Sequence, residues 1–223
     1  MRYDSVFNTG CLMYDSQKTT AHNLLDFCGE ATFTTILADP PWRFKQRQGK
    51  LSPEYASCNR YPTMPLDEIK ALPVKQISTK NAHLYLWIPV SMLEDGLAVL
   101  NARGFKYKSS IAWEKIRRDG ATSGECYGHY FRNSMEILLF GVRGSLDTVR
   151  PPGGQCNVIR AETREHSRKP DAFVEMVERL SPGPHLELFA RGTRPGWSDF
   201  GNQAEDYKIT WPTQAKTGDV ETP

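Results

Sequence analysis

The sequence predicts an α/β protein with a largely parallel sheet. Strand-length apolar runs alternate with helix-period segments, and proline or glycine breakers separate one kind from the next. A length of 223 residues with 39% hydrophobic content suits one domain with a core of its own. That domain is expected over residues 1–213, with 214–223 a loose tail.

Phe33–Ala38 (FTTILA) reads as a buried strand cut off by Asp39-Pro40-Pro41. Leu84–Ile88 (LYLWI) is a second strand. Ser91 has the chemistry of an N-cap for a helix carrying Leu93, Leu97 and Leu100, which Gly104 ends. Ile111–Glu114 and Ile137–Phe140 are two further short strands. Pro170 suits the first turn of another helix, with Asp171 near its positive end. Phe173, Val174, Met176, Val177 and Leu180 make its apolar face, and Ser181-Pro182-Gly183-Pro184 stops it. The strand His185–Ala190 follows. Arg43–Pro62 and Lys115–Tyr130 show no clear period and are candidate functional loops at strand ends.

Composition excludes several classes. The net charge of +2 is close to neutral, so only local basic clusters can argue for nucleic acid. No apolar run approaches the ~20 residues of a membrane helix. The N-terminal residues are polar where a signal peptide would be apolar, which points to the cytoplasm. Cys11, Cys28, Cys58, Cys126 and Cys156 are widely spaced without a Cys-x-x-Cys, which disfavours disulfides and zinc. The histidines show no ligand spacing, and no metal is expected.

The chemistry is concentrated in Asp39-Pro40-Pro41-Trp42 at the end of an apolar strand. An adenine amine is a poor nucleophile because its lone pair is delocalised into the ring. Acceptors for both N–H groups would help that lone pair localise. Asp39 offers a carboxylate, and Pro40 a carbonyl that the Pro-Pro segment holds rigid. Trp42 offers a face for stacking, worth roughly 1–3 kcal/mol per base. Read alone, the tetrapeptide is equally a strand-ending turn with an aromatic packed beneath it.

The tetrapeptide resembles the catalytic signature of the family of the catalytic subunit of eukaryotic mRNA N6-adenosine methyltransferase, which has bacterial and phage members. Tyr61-Pro62-Thr63-Met64 with Leu66–Ile69, the segment Leu84–Lys115, Gly128–Asn133 with Glu136, the segment Arg164–Arg191, Gly196-Trp197 and Gly201-Asn202-Gln203 are similar to further motifs of that family, in order. The likeness covers roughly residues 33–204, and bacterial-type members look closer. It implies a Rossmann-like S-adenosylmethionine-dependent methyltransferase fold with a reversed strand. The motif order is circularly permuted, the catalytic motif coming first and the cofactor motif late.

The resemblance also implies roles. Asp39, Pro40, Pro41 and Trp42 are catalytic. Lys169 matches the lysine that holds the carboxylate of S-adenosylmethionine, and Asp39 also meets its ammonium. Arg191, Asn202 and Gln203 match ribose and adenine positions, and Glu187 lies on the adjoining strand. Eukaryotic members carry a His-Asn pair after the matching arginine; here Gly192-Thr193 and a shorter loop stand in its place.

Arg43, Lys45, Arg47 and Lys50 follow the tetrapeptide, and Lys106, Lys108, Lys115, Arg117 and Arg118 form a second basic set. Clusters like these beside an active site can neutralise phosphates. Arg43, Lys45, Arg47 and Lys115 are candidate nucleic-acid contacts, with Tyr61 contacting the acceptor base, gating the pocket or packing under the loop. The expected substrate is adenine in DNA. The same reaction on RNA stays open, as does a non-catalytic nucleic-acid-binding partner subunit. A homodimer would supply extra binding surface.

Overall fold

The computed structural model describes residues 21–43, 63–123, 130–163 and 168–201. In chain order these form α1 (Ala21–Cys28), β1 (Phe33–Ala38), α2 (Leu66–Ala71), β2 (Ser78–Ile88), α3 (Leu93–Ala102) and β3 (Lys106–Ile116). β4 (Met135–Arg143), β5 (Val158–Glu162), α4 (Asp171–Leu180), β6 (His185–Leu188) and β7 (Trp197–Phe200) follow. The strands build one seven-stranded sheet in the order β5-β3-β4-β2-β1-β6-β7. β1 runs parallel to β2 and β6, β6 to β7, and β3 to β5. β4 alone runs against its neighbours β2 and β3. The expected mixed α/β architecture and its reversed strand are therefore present.

Side chains alternate across a strand, and the alternation sorts the core into two layers. Ile36, Leu84, Leu86, Leu186 and Leu188 pack with Leu24 of α1, Ile69 of α2 and Val99 and Leu100 of α3. Leu37, Tyr85, Trp87, Ile111, Trp113 and Leu138 pack on the other face with Phe173, Val174, Met176, Val177 and Leu180 of α4. All five apolar positions expected of the α4 face are buried. Gly96 lets α3 lie close on the sheet, because a Cβ there would stand 2.6 Å from Cγ2 of Ile88.

Several expected bounds change. β2, β3 and β4 are each longer than their apolar runs suggest, because ladder hydrogen bonds carry polar residues such as His83 and Lys106 along with them. Ser91 does not cap α3. It lies in a 3-10 turn over Val90–Met92, and Met92 holds the cap position with no side-chain cap bond. The strand expected through Ala190 ends at Leu188, where Phe189 turns to a φ of 65°. No helix among the described residues is long and apolar enough to cross a membrane.

Candidate active site

Because β4 is reversed, its first residues lie at the same edge of the sheet as the last residues of β1, β2, β3 and β6. Alternation then selects the face. Asp39 continues the side of Leu37, Lys115 that of Trp113, and Glu136 that of Leu138, all on the α4 layer. Trp113 and Glu136 are direct register partners. Lys169 arrives on the same side from the residues leading into α4. In open α/β sheets this carboxyl edge is the ordinary place for a ligand crevice.

These four side chains form one continuous chain of charge. Nζ of Lys169 donates to Oδ2 of Asp39 at 2.8 Å and lies 3.3 Å from Oε2 of Glu136. The other Glu136 oxygen, Oε1, accepts from Nζ of Lys115 at 2.7 Å. Their side chains are between 14% and 23% exposed, so the network is shielded but reachable. The two ammonium groups sit over indole rings, Lys169 5.3 Å from the Trp87 centroid and Lys115 5.1 Å from that of Trp113. Burial alone would lower the pKa of Lys169, but Asp39 and Glu136 outweigh it and hold the ammonium above its usual value. Burial would raise that of Glu136, but Lys169 and Lys115 hold the carboxylate below its usual range.

Lys115 is tied to Glu136 and stands among the site charges. Trp42 is not offered to a base: it is 4% exposed and packs in the layer of α1, α2 and α3, opposite Asp39. Its Nε1 donates to the carbonyl of Trp87 at 2.9 Å. The packing reading of that ring is the one that holds.

The prolines make this crossing. The Pro40 carbonyl accepts the Trp42 N–H at 2.8 Å, and that of Pro41 accepts the Met64 N–H at 2.8 Å. A carbonyl has two lone pairs, so Pro40 keeps acceptor capacity. Arg43 is exposed and reaches Thr63, with Nε donating to Oγ1 at 3.3 Å. The second basic set divides, since β3 spans 11 residues and separates Lys106 and Lys108 from Lys115 by roughly 23–30 Å. Arg117 pairs with Asp119 at 2.6 Å. Lys45, Arg47, Lys50, Tyr61, Asn202 and Gln203 lie outside the described residues.

On the cofactor side, Glu187 points to the α4 layer between Leu186 and Leu188, which face the other way. Nε of Arg194 donates to its Oε2 at 3.1 Å. Burial pushes the Glu187 carboxyl up despite Arg194. Arg191 is half-buried beyond β6, near enough to Lys169 to oppose its charge. Sequence reading gave no role to Glu136 or Arg194. Alternation with Leu138 and Phe140 was a signal for Glu136; for Arg194 there was none.

The family model described as MT-A70 matches residues 33–203. The chain is 32% identical over 189 residues to the human N(6)-adenosine-methyltransferase catalytic subunit METTL3, covering 81% of this chain and 30% of that one. It is 33% identical over 187 residues to the N(6)-adenosine-methyltransferase MT-A70-like protein of Arabidopsis thaliana, covering 80% and 24%. It thus spans about a quarter to a third of these relatives. Against the type II methyltransferase M.MunI of a Mycoplasma species it is 26% identical over 200 residues, covering 82% of this chain and 83% of that protein.

Proposed function

Since the chain belongs to the MT-A70 family, we propose that it methylates the N6 amine of adenine in DNA, with S-adenosylmethionine as donor. The observation that carries this reading is the Asp39–Lys169–Glu136–Lys115 charge chain at the carboxyl edge of the sheet. The residues present fit the cofactor by their chemistry. Lys169 suits its carboxylate, Asp39 its ammonium, and Glu187 its ribose diol; Arg191, Asn202 and Gln203 complete the set. When bound, S-adenosylmethionine supplies an electrophilic methyl group. The catalytic motif at the end of β1 and the cofactor segment near β6 support a circularly permuted order.

Asp39 and the Pro40 carbonyl are the acceptors for the two amine N–H groups. Preorganised acceptors stabilise the charge that develops on nitrogen without reorganising during the reaction. Glu136 helps hold Lys169 as an ammonium and pairs with Lys115, and Lys169 orients Asp39 as an acceptor. Trp42 supports the loop from beneath. Base stacking passes to Tyr130 and Phe131, which are 83% and 84% exposed a few residues before Glu136. Arg43, Lys45 and Arg47 contact the phosphate backbone.

The near-equal coverage of this chain and the type II methyltransferase favours DNA; the similarity to METTL3 keeps RNA as the second reading. Single-stranded DNA, duplex DNA and RNA of one sequence should be incubated with the protein and labelled S-adenosylmethionine, then digested. N6-methyladenine should form in DNA, more on unpaired or mismatched adenines, because a paired base must first be extruded. Strong preference for RNA would overturn the choice of DNA, and no methylated adenine in any substrate would overturn the enzymatic reading.

A further inference from the structure

Glu187 and Asp199 are direct register partners on the parallel strands β6 and β7, so both project from the same face. Like charges placed opposite one another destabilise a sheet. The countercharge comes from the turn between the strands. Nε of Arg194 donates to Oε2 of Glu187 at 3.1 Å, and its backbone N–H donates to Oδ2 of Asp199 at 2.7 Å. The Arg194 carbonyl accepts the Trp197 N–H at 3.1 Å, closing the turn. Gly201 lets the end of β7 lie against the end of β6, because a Cβ there would stand 2.2 Å from the Ala190 carbonyl oxygen. Arg194 is thereby fixed at both its backbone and its side chain.

The Arg194 and Glu187 side chains are 17% and 18% exposed, so bulk water screens their pair weakly. Burial drives the Glu187 carboxyl toward its neutral form, and Asp199 on β7 and Asp39 beyond β1 push the same way. Among these facing groups Arg194 is the cation that opposes them. An ionised carboxylate accepts hydrogen bonds from both hydroxyls of a vicinal diol. A protonated one turns one oxygen into a donor and loses part of that capacity.

We propose that Arg194 is a positioning residue of the cofactor cradle: its clamp across Glu187 and Asp199 presents the Glu187 carboxylate, ionised and oriented, to the ribose diol of S-adenosylmethionine. This rests on the cofactor proposed above. It assigns to the β6–β7 turn a task that the Gly192-Thr193 stretch, without charged side chains, does not perform.

Calorimetric titration of S-adenosylmethionine into the full chain from pH 5.5 to 9, for wild type, Arg194→Gln and Arg194→Lys, tests it. Arg194→Gln should weaken binding about tenfold at pH 7, the scale of one charge-assisted hydrogen bond, and recover affinity as pH rises. Arg194→Lys should restore much of both. A Gln variant with the wild-type pH profile overturns the assignment, as do Gln and Lys variants that lose affinity equally at every pH. Asp199→Asn keeps an acceptor for the Arg194 N–H while removing the like charge, and should move the acid limb of binding to lower pH. An unmoved limb overturns the assignment even if Arg194→Gln does not fold. Failure of the wild type to bind S-adenosylmethionine at any pH would instead overturn the proposed function.

Discussion

Glu136→Gln tests the charge chain at its centre. The substitution keeps the shape of the side chain and removes the anion between two ammonium groups 2.7 Å and 3.3 Å away. At an effective dielectric of about 20, a unit pair at such distances attracts by roughly 5–6 kcal/mol. Most of that offsets the cost of taking the charges out of water. Breaking a buried pair by removing one partner costs about 3–5 kcal/mol. Glu136 is 22% exposed, which brings the expected loss to about 2–4 kcal/mol of folding stability. Urea denaturation at pH 7 measures it, and a chain of this size should melt roughly 4–16 °C lower. The loss has a pH signature. Asp39 and Glu136 raise the pKa of Lys169 above its unfolded value, so their contribution is fully present below that value. It disappears as pH rises through the folded value. In Glu136→Gln only Asp39 remains to support Lys169, so its folded value falls back toward the unfolded one and the alkaline loss of stability should be smaller than in wild type. A variant within about 0.5 kcal/mol of wild type at pH 7, with the same alkaline limb, would refute the charge chain as a structural unit.

Three further outcomes follow from the geometry. Trp42→Phe should cost about 1–3 kcal/mol of stability in urea, since it removes a buried ring and the donor to the Trp87 carbonyl; a loss of DNA affinity with unchanged stability would instead restore the stacking role. Replacing Tyr130 and Phe131 with Ala should weaken single-stranded DNA binding by about 1–3 kcal/mol per lost stack while S-adenosylmethionine affinity holds; equal filter-binding curves would remove them from the footprint. His83 is buried, accepting from Oγ of Ser181 at 2.8 Å while Nε2–H donates to the Leu146 carbonyl at 3.1 Å, and burial lowers its pKa despite nearby Asp147. Its neutral form stabilises the fold above the unfolded pKa of about 6.5, and that stability should fall as pH drops below it; His83→Gln with the same acid limb in thermal melts would exclude His83 as its source.

The strands that position the site were legible where apolar runs are dense. Phe33–Ala38 has the bounds its residues suggest, because Asp39-Pro40-Pro41 stops it abruptly. β5 and β7 were not legible. They are edge strands of 5 and 4 residues, and β5 alternates exposed with half-buried positions, so neither carries an apolar run. α1 is fixed to the core by Leu24 and Cys28, one turn apart, which is too little period to mark a helix. The direction of β4 leaves no mark in composition at all, since strand polarity is set by ladder partners far away in the chain.

The site residues divide on the same principle. Period-two alternation carries Asp39 with Leu37, Lys115 with Trp113 and Glu136 with Leu138, and once β4 is known to be reversed those pairs converge on one face. The Lys115–Glu136 pair was not legible because the two lie 21 positions apart, and Lys115 with Arg117 and Arg118 looks like a basic surface when that partner is unseen. Trp42 was misread for a different reason. The stacking reading set aside its parity with Ile36 and Ala38, which puts it on the side of the larger apolar layer; the Pro40 carbonyl then turns back onto the Trp42 N–H and the ladder ends. The indole packs in that layer, where burying a ring of its size is worth more than leaving it at a wet rim. The tetrapeptide thus splits across the sheet edge. Its carboxylate stays with the charges on the α4 side, and its aromatic ring anchors the opposite side. That division explains how a short, largely buried turn can hold Asp39 steady against Lys169.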